Sequence, residues 1–453
     1  LTFESLPEVA QSTIRLALES GATDAECTIS EGEEFSANVR MRELETLKDA
    51  GSRGAGLRVL IGKRMGASYT SDLSPEGIRQ MVQSAIDLAG LTTEDPFAGL
   101  PDASQLGSIP GDLKLFSGET ANLPTEQRIE IAKRAEAAAL DFDKRITNSE
   151  GASFDSSVGG RVFANSRGFV GSYRSSYCSV SAVPVASQNG GSNSMERDYW
   201  FTTARDYRGL ESPEYVGRKA AERALRRLGA VKVETQRVPV IFEPRVARSL
   251  LSNIFEAVEG RAIYRNASFL AGKLGEKVAC ANFTLIDDGT IPGLFGTSPF
   301  DDEGVPTRRT PVIAGGVLRS YLLNTYAAGK LGMTTTGNAS RGITGNAGIG
   351  HGNFFLEAGP RSPEAILLGV KNGFLVTELI GTGVNTVTGD YSRGAVGIWI
   401  RDGEPAFPVS EVTIASTLQE MLTGIAEIGS DLEFRGSVSA PTILIGEMTV
   451  AGR

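Results

Sequence analysis

Val9, Ile14, Leu16 and Leu18 recur at helical spacing across residues 6–20 and the run stops at Gly21, which predicts an opening helix. The period then shortens: residues 27–31, 35–41 and 55–61 read as strands, the last ending at Gly62. Ser74-Pro75-Glu76 has the chemistry of a helix start, with a serine to accept a backbone N–H, a proline suited to the first turn and an acid facing the positive end of the dipole. Ile78, Met81, Val82, Ala85, Ile86 and Ala89 follow and predict an amphipathic helix whose apolar stripe packs on a sheet. The same start recurs at Ser212-Pro213-Glu214, ahead of Val216, Ala220, Ala224, Leu225 and Leu228, and again at Ser362-Pro363-Glu364. The first two starts follow strand-rich stretches, so the pattern suggests two related units, about 1–110 and 111–230. Between them, residues 95–123 read as a long loop, 126–140 as a helix and 146–185 as hairpins.

Residues 229–237 are polar and lead into the apolar run Val238-Pro239-Val240-Ile241-Phe242, which places a domain boundary there. An N-terminal α+β domain, 1–230, is expected before it and a β-rich domain, 235–453, after it. In the second domain, residues 278–286, 310–318, 374–380, 397–400, 412–414 and 442–445 read as strands. Their flanks are dense in glycine, as a heavily curved sheet requires at bulges and tight turns. The fold class is therefore α+β: mixed strands and helices, then a curved antiparallel β-sheet or barrel-like domain.

Composition narrows the chemistry. The chain has one histidine, His351, and three cysteines, Cys27, Cys178 and Cys280, too scattered for a disulfide framework or a C-x-x-C site. Zinc catalysis draws mainly on His and Cys ligands, and a catalytic triad needs a positioned base, so a histidine-centred site on this chain alone is disfavoured. His351, in the glycine-rich stretch 348–353, reads as an ordinary loop histidine, and the cysteines read as small buried hydrophobes in a reducing cytoplasm. A formal net charge of −9 without a basic footprint argues against a nucleic-acid partner. No apolar stretch of membrane-spanning length occurs and the first residues lack a signal-peptide pattern, so no membrane role and a cytoplasmic location are expected. The glycine-rich run 381–389 lacks the Gly-Lys-Ser/Thr of a phosphate loop, and no G-x-S-x-G elbow is present.

Several ordered motifs remain: Thr70-Ser71-Asp72-Leu73-Ser74-Pro75-Glu76, Glu94-Asp95-Pro96 with Ala98-Gly99-Leu100-Pro101-Asp102, and Asp143-Lys144-Arg145-Ile146-Thr147-Asn148-Ser149-Glu150-Gly151 in the first half. Met195-Glu196-Arg197-Asp198-Tyr199, Pro299-Phe300-Asp301-Asp302-Glu303-Gly304, Gly389-Asp390-Tyr391-Ser392-Arg393-Gly394-Ala395 and the ending Glu447-Met448-Thr449-Val450-Ala451-Gly452 follow. Through them the whole chain resembles the TldD/PmbA family, in particular its PmbA (TldE) branch. In that family the TldD-type subunit carries zinc on an H-E-x-x-x-H helix and a late cysteine, with the motif glutamate as general base. The probable helix 250–261 occupies that register, with Phe255 and Gly260 at the histidine positions and Glu256 at the glutamate position; no cysteine follows Cys280.

The resemblance implies that this chain holds no cofactor, that zinc belongs to a TldD-type partner, and that the pair forms a metalloprotease cleaving unfolded or modified peptides. It also directs attention to Gly389, Asp390, Tyr391, Ser392 and Arg393, which could present backbone and a guanidinium to an extended peptide by strand addition. The competing reading of that stretch is a bulged hairpin braced by an Arg393–Asp390 pair. A stand-alone peptide-binding or structural homodimer is the alternative to the heterodimeric protease. The family's older association with DNA gyrase modulation sits poorly with an acidic chain that has no basic patch.

Overall fold

The computed structural model describes residues 2–188 and 195–452. The first element, α1 (Leu6–Glu19), buries Leu6, Ala10, Ile14 and Ala17 along one stripe and is followed by Gly21 at φ +102°. Next come β1 (Asp24–Arg40), β2 (Glu43–Ile61), β3 (Arg64–Thr70) and α2 (Pro75–Leu91), with Ser74 accepting the Gly77 N–H as the cap predicts. After the single turn α3 (Gly118–Ala121), a second set follows: α4 (Thr125–Leu140), β4 (Ile146–Asn165), β5 (Val170–Ser187), β6 (Met195–Arg197), β7 (Trp200–Ala204) and α5 (Pro213–Leu225), the last capped by Ser212. Among the described residues these strands form one seven-stranded sheet in the order β3-β2-β1-β4-β5-β6, with β7 also on β5. The antiparallel pair β1–β4 joins the two sets at its centre.

Much of β2 was not legible. Residues 43–53 are exposed on both faces, so no apolar alternation marks them; their strand form comes from the ladder with β1. The connecting turn places Met41 and Arg42 at φ +50° and +69°, and the buried Glu136 carboxylate of α4 accepts both of their N–H groups, at 2.8 and 2.6 Å.

The second half begins with β8 (Gln236–Phe242), α6 (Pro244–Val258) and α7 (Gly260–Tyr264). It continues through β9 (Leu285–Asp288), β10 (Arg309–Ala314), β11 (Val317–Leu318), α8 (Thr325–Leu331), β12 (Ala339–Ser340), β13 (Gly348–Ile349), β14 (Asn353–Leu356) and α9 (Pro363–Leu368). The chain then forms β15 (Asn372–Ile380), β16 (Asp390–Arg401), β17 (Glu404–Thr417), α10 (Leu418–Thr423), β18 (Ile425–Ile428), β19 (Val438–Ser439) and β20 (Ile443–Ala451). Strands β17-β16-β15-β8-β20 close into a barrel through the β17–β20 pairing; all its pairs are antiparallel except β8–β15. A second sheet, β11-β10-β9-β14-β19, lies beside it. Helix α6 packs its apolar face on β8 and β15 of the barrel and on β14 and β19 of the second sheet. Its Leu250, Leu251 and Ile254 are fully buried, each contributing about 1.5–3 kcal/mol of apolar transfer.

Three expectations fail here: residues 310–318 are not one strand but the hairpin β10–β11, which turns at Gly315 and Gly316, both at positive φ. Residues 278–286 are not one strand: β9 holds only Leu285 onward, and the preceding stretch is a loop whose Val278 and Ala279 N–H groups both donate to the Gly316 carbonyl. Ala279 and Phe283 are apolar because their side chains are buried in the core, whereas Ala281 and Asn282 between them are exposed. Nor is 250–261 a single helix. The backbone is extended at Glu259 (φ −69°, ψ 136°), where Gly260 N–H donates to Leu322 and Leu322 N–H to Val258.

The seam between the halves is charged. Arg341 reaches from the second half to Glu26 and donates to Thr28 Oγ1 at 3.1 Å, and Arg58 donates to Glu26 at 2.7 Å. Arg161 pairs with Asp302 at 2.9 Å and donates to the Arg341 carbonyl. Phe300 inserts its ring against Phe169 and Tyr173, so Phe300 to Glu303 of one sequence motif serve as a joint between domains. The backbone beside Ile343 lies so close to β2 that a Cβ on Gly56 would stand 1.7 Å from the Ile343 carbonyl oxygen.

Candidate functional site

The end of α6, the following α7, the start of α8 and residues 347–349 enclose a cleft of about 740 Å³, closed on one side by Thr386. Phe255 and Glu256 line it, as do Tyr264, Arg265 and Tyr326. Phe255 does not stand free: its ring meets His351 edge-on at 4.8 Å between centroids and Phe354 at 5.9 Å. His351 is thus more than a solvated loop residue. Burial pushes its imidazole below the ordinary histidine range, and Nδ1–H donates to the Gly352 carbonyl at 2.9 Å, which leaves Nε2 as the acceptor of a neutral ring.

Gly260 is walled in. A Cβ there would lie 2.6 Å from Leu323 Cδ2 and 2.7 Å from Ala327 Cβ. Glu259, one residue earlier, accepts the N–H groups of Arg261 and Ala262 at 3.0 and 3.1 Å and so caps α7. The residues do not fit a zinc ion: a phenyl ring carries no lone pair, glycine has no side chain, and Glu259 is spent on a helix cap. Among the described residues no group of three His, Cys, Asp or Glu side chains is placed to hold a metal.

The opposite wall is aromatic and basic. The Tyr326 hydroxyl donates to Asp95 at 2.7 Å, which holds that carboxyl below its usual range, and Tyr264 meets Tyr326 at 6.0 Å. Lys330 lies over the Tyr326 ring at 5.3 Å and Arg265 over Tyr264 at 5.9 Å. Arg265 and Glu256 each have no ion-pair partner among the described residues, so the cleft offers one unpaired cation and one unpaired carboxylate beside two phenols.

The stretch 389–393 starts β16 outside the lining of this cleft; Thr386, on the loop before it, makes the contact instead, and its carbonyl accepts the Phe269 N–H at 3.0 Å. Gly389 has φ +89°, and Ser392 N–H donates back to the Gly383 carbonyl at 2.7 Å. The expected Asp390–Arg393 brace is absent among the described residues. Three positions apart on a strand, the two side chains point to opposite faces; Asp390 instead accepts the Thr388 hydroxyl at 2.6 Å. Tyr391 is buried, its phenol pushed upward by burial, and its hydroxyl has no partner among the described residues. Of the residues singled out from sequence, the fold brings Phe255 and Glu256 to the cleft, buries Gly260 behind it and leaves 389–393 at its border. Tyr264, Arg265, Tyr326 and Thr386 carried no motif; the aromatic and basic residues of 261–265 were the one available signal.

Three family models match in order: PmbA/TldA metallopeptidase domain 1 at residues 25–89, the central domain at 118–228 and the C-terminal domain at 235–452. Metalloprotease PmbA of Escherichia coli O157:H7 is 39% identical over 453 residues, covering 99% of this chain and 98% of that protein. A crystal structure from Bacteroides thetaiotaomicron, described as a candidate modulator of DNA gyrase, superposes with a TM-score of 0.91 at 28% identity and 98% coverage of both chains. TldE from Thermococcus kodakarensis has the same fold, with a TM-score of 0.88 at 24% identity, over 98% of this chain and all of that one.

Proposed function

The chain belongs to the PmbA/TldD family of metallopeptidase-related proteins, and from that premise we propose that it is a TldE-type subunit. In this reading it pairs with a TldD-type chain that supplies zinc and the cleaving base, and contributes a surface that holds unfolded or modified peptides. One observation supports it most: the helix that would carry the metal presents Phe255 and Glu256, with Gly260 sealed beneath α8. A carboxylate without a metal-bound water has nothing to activate, so Glu256 acts here as a wall of the cleft. The two phenols and the unpaired Arg265 suit a peptide backbone and an acidic or C-terminal group. In this reading Arg393 and the loop 381–389, which brings Thr386 to the cleft, guide the extended chain beyond it.

The test is to assay this chain, a TldD-type partner and their mixture on a denatured protein substrate, with zinc content measured on each. Activity confined to the mixture, chelator-sensitive and with zinc in the partner alone, is the expected result. About one tightly held zinc on this chain, or chelator-insensitive cleavage by it alone, would overturn the reading.

A further inference from the structure

A separate cavity of about 220 Å³ opens on the seam between the two halves and shares no lining residue with the cleft. Trp200 and Phe201 of β7 form one side, Pro244, Arg245 and Arg248 at the start of α6 another, and Val438 and Ala440 beside β19 a third. Arg223, Arg226 and Arg245 share two carboxylates, Asp198 and Glu243: Arg223 meets Glu243 at 2.5 Å and Asp198 at 3.3 Å, Arg226 meets Glu243 at 3.3 Å, and Arg245 meets Asp198 at 3.5 Å. The Nε atoms of Arg226 and Arg245 are buried without a hydrogen-bond acceptor, while that of Arg223 faces Asp198. Burial, and then the neighbouring Arg223 charge, push the Arg226 and Arg245 guanidiniums downward.

Arg248 adds a fourth guanidinium with no ion-pair partner among the described residues; it lies over the Phe201 ring at 5.9 Å. The acids on the remaining side are engaged elsewhere. Asp431 accepts the Thr442 N–H and hydroxyl at 2.9 and 2.7 Å, and Glu433 holds Arg435 at 2.8 Å. The cavity therefore joins Arg245, which also donates to the Tyr199 carbonyl at 2.6 Å, and the unpaired Arg248 to an apolar wall of Phe201, Pro244, Val438 and Ala440.

We propose that this cavity binds a small monocarboxylate with an apolar body, the chemistry shared by a peptide C-terminus and an N-acylated apolar amino acid. The carboxylate lies on Arg245 and Arg248 and the side chain lies against Pro244, Val438 and Ala440. Guanidinium and carboxylate match in planar geometry, and a desolvated pair of this kind is worth more than an exposed one. The volume admits one residue rather than a long segment. The site does not depend on the proteolytic reading above, because no residue of the cleft takes part.

Trp200 is one of two tryptophans and borders the cavity, while Trp399 is buried in the barrel, so intrinsic fluorescence reports on the site. The full chain is titrated with N-acetyl-L-leucine, with N-acetyl-L-leucinamide, which lacks the carboxylate, and with the tripeptide Ala-Ala-Leu. A saturable change with either carboxylate and none with the amide is expected; the tripeptide shows whether a chain terminus enters or only a small acid. Arg248→Ala should weaken binding roughly tenfold or more with little change in Tm, since Arg248 makes no ion pair and only a distant contact with the Phe201 ring, and Arg248→Lys should fall between. Val438→Phe, which fills the cavity without touching a charge, should abolish binding. Equal binding of acid and amide, unchanged affinity in both the Arg248→Ala and Val438→Phe variants, or no saturable response to any carboxylate at millimolar concentrations would overturn the proposal.

Discussion

Around α6 the second half buries Phe242, Phe374, Leu250 and Ile254 at 0% exposure with no charged side chain in the cluster, whereas at the seam Glu26, Arg58 and Arg341 are all less than a tenth exposed and fully charged. Both regions exclude water, but they respond to different variables. Apolar packing is indifferent to pH and salt and punishes lost volume. A buried ion pair holds only while both partners keep their charge, and one member left alone costs more than the pair ever contributed. The barrel domain is thus held by shape and the joint between domains by matched charge.

The largest effects should come from breaking each region at its centre. Arg341→Ala leaves Glu26 with Arg58 alone and is expected to cost about 3–5 kcal/mol in denaturant unfolding. Phe242→Ala should cost a similar amount, about 3–5 kcal/mol, through the cavity it opens. Their pH responses should separate them. Burial alone would raise the Glu26 carboxyl, but Arg341 and Arg58 outweigh it and hold it below its usual 4.5. Its stabilisation is present above that value and is lost as pH falls through the lower folded value. The penalty of Arg341→Ala should therefore shrink in acid, whereas that of Phe242→Ala should not; equal shrinkage would erase the contrast.

Gly260 sharpens the apolar side. Gly260→Val forces a branched side chain against Leu323 and Ala327 and should cost about 1–3 kcal/mol by overpacking. By the same geometry, Phe255→His with Gly260→His should not yield a zinc-binding protein, which elemental analysis checks.

The opposite pH dependence is expected from Asp287. Burial raises its carboxyl from 3.8 to about 7 despite hydrogen bonds from Asn338 and the Gly352 N–H. A group raised in the folded state contributes fully below its unfolded value and loses that contribution as pH rises through the folded one. Tm should accordingly decline between about pH 4 and 7, and Asp287→Asn should flatten that decline. A wild-type Tm that rises across the same range would contradict the assignment. The smallest effects concern the two helices with the same start. Ser74→Ala and Ser212→Ala each remove a side-chain acceptor from a first-turn N–H and should cost about 1 kcal/mol, without altering the pH profile.

The helices α1, α2, α4 and α5, the serine caps of α2 and α5 and the hairpin strands of 146–185 were legible because each depends on neighbours in sequence: apolar spacing, a capping oxygen, a turn. Phe255, Glu256 and Gly260 were legible only through family resemblance, and their separate fates were not. The extended break at Glu259 depends on Leu322, more than sixty residues away, and the burial of Gly260 on α8. Residues 43–53 are a strand because β1 lies beside them, and 278–284 form a loop, anchored in the core by Ala279 and Phe283, because the Gly316 backbone holds it. Likewise, nothing local distinguishes Arg341 or Arg248 from any surface arginine. The charge on each is written in the sequence. Whether that charge meets a carboxylate or an apolar cavity is decided only when distant segments pack, since an electrostatic energy depends on separation and on the water excluded around it.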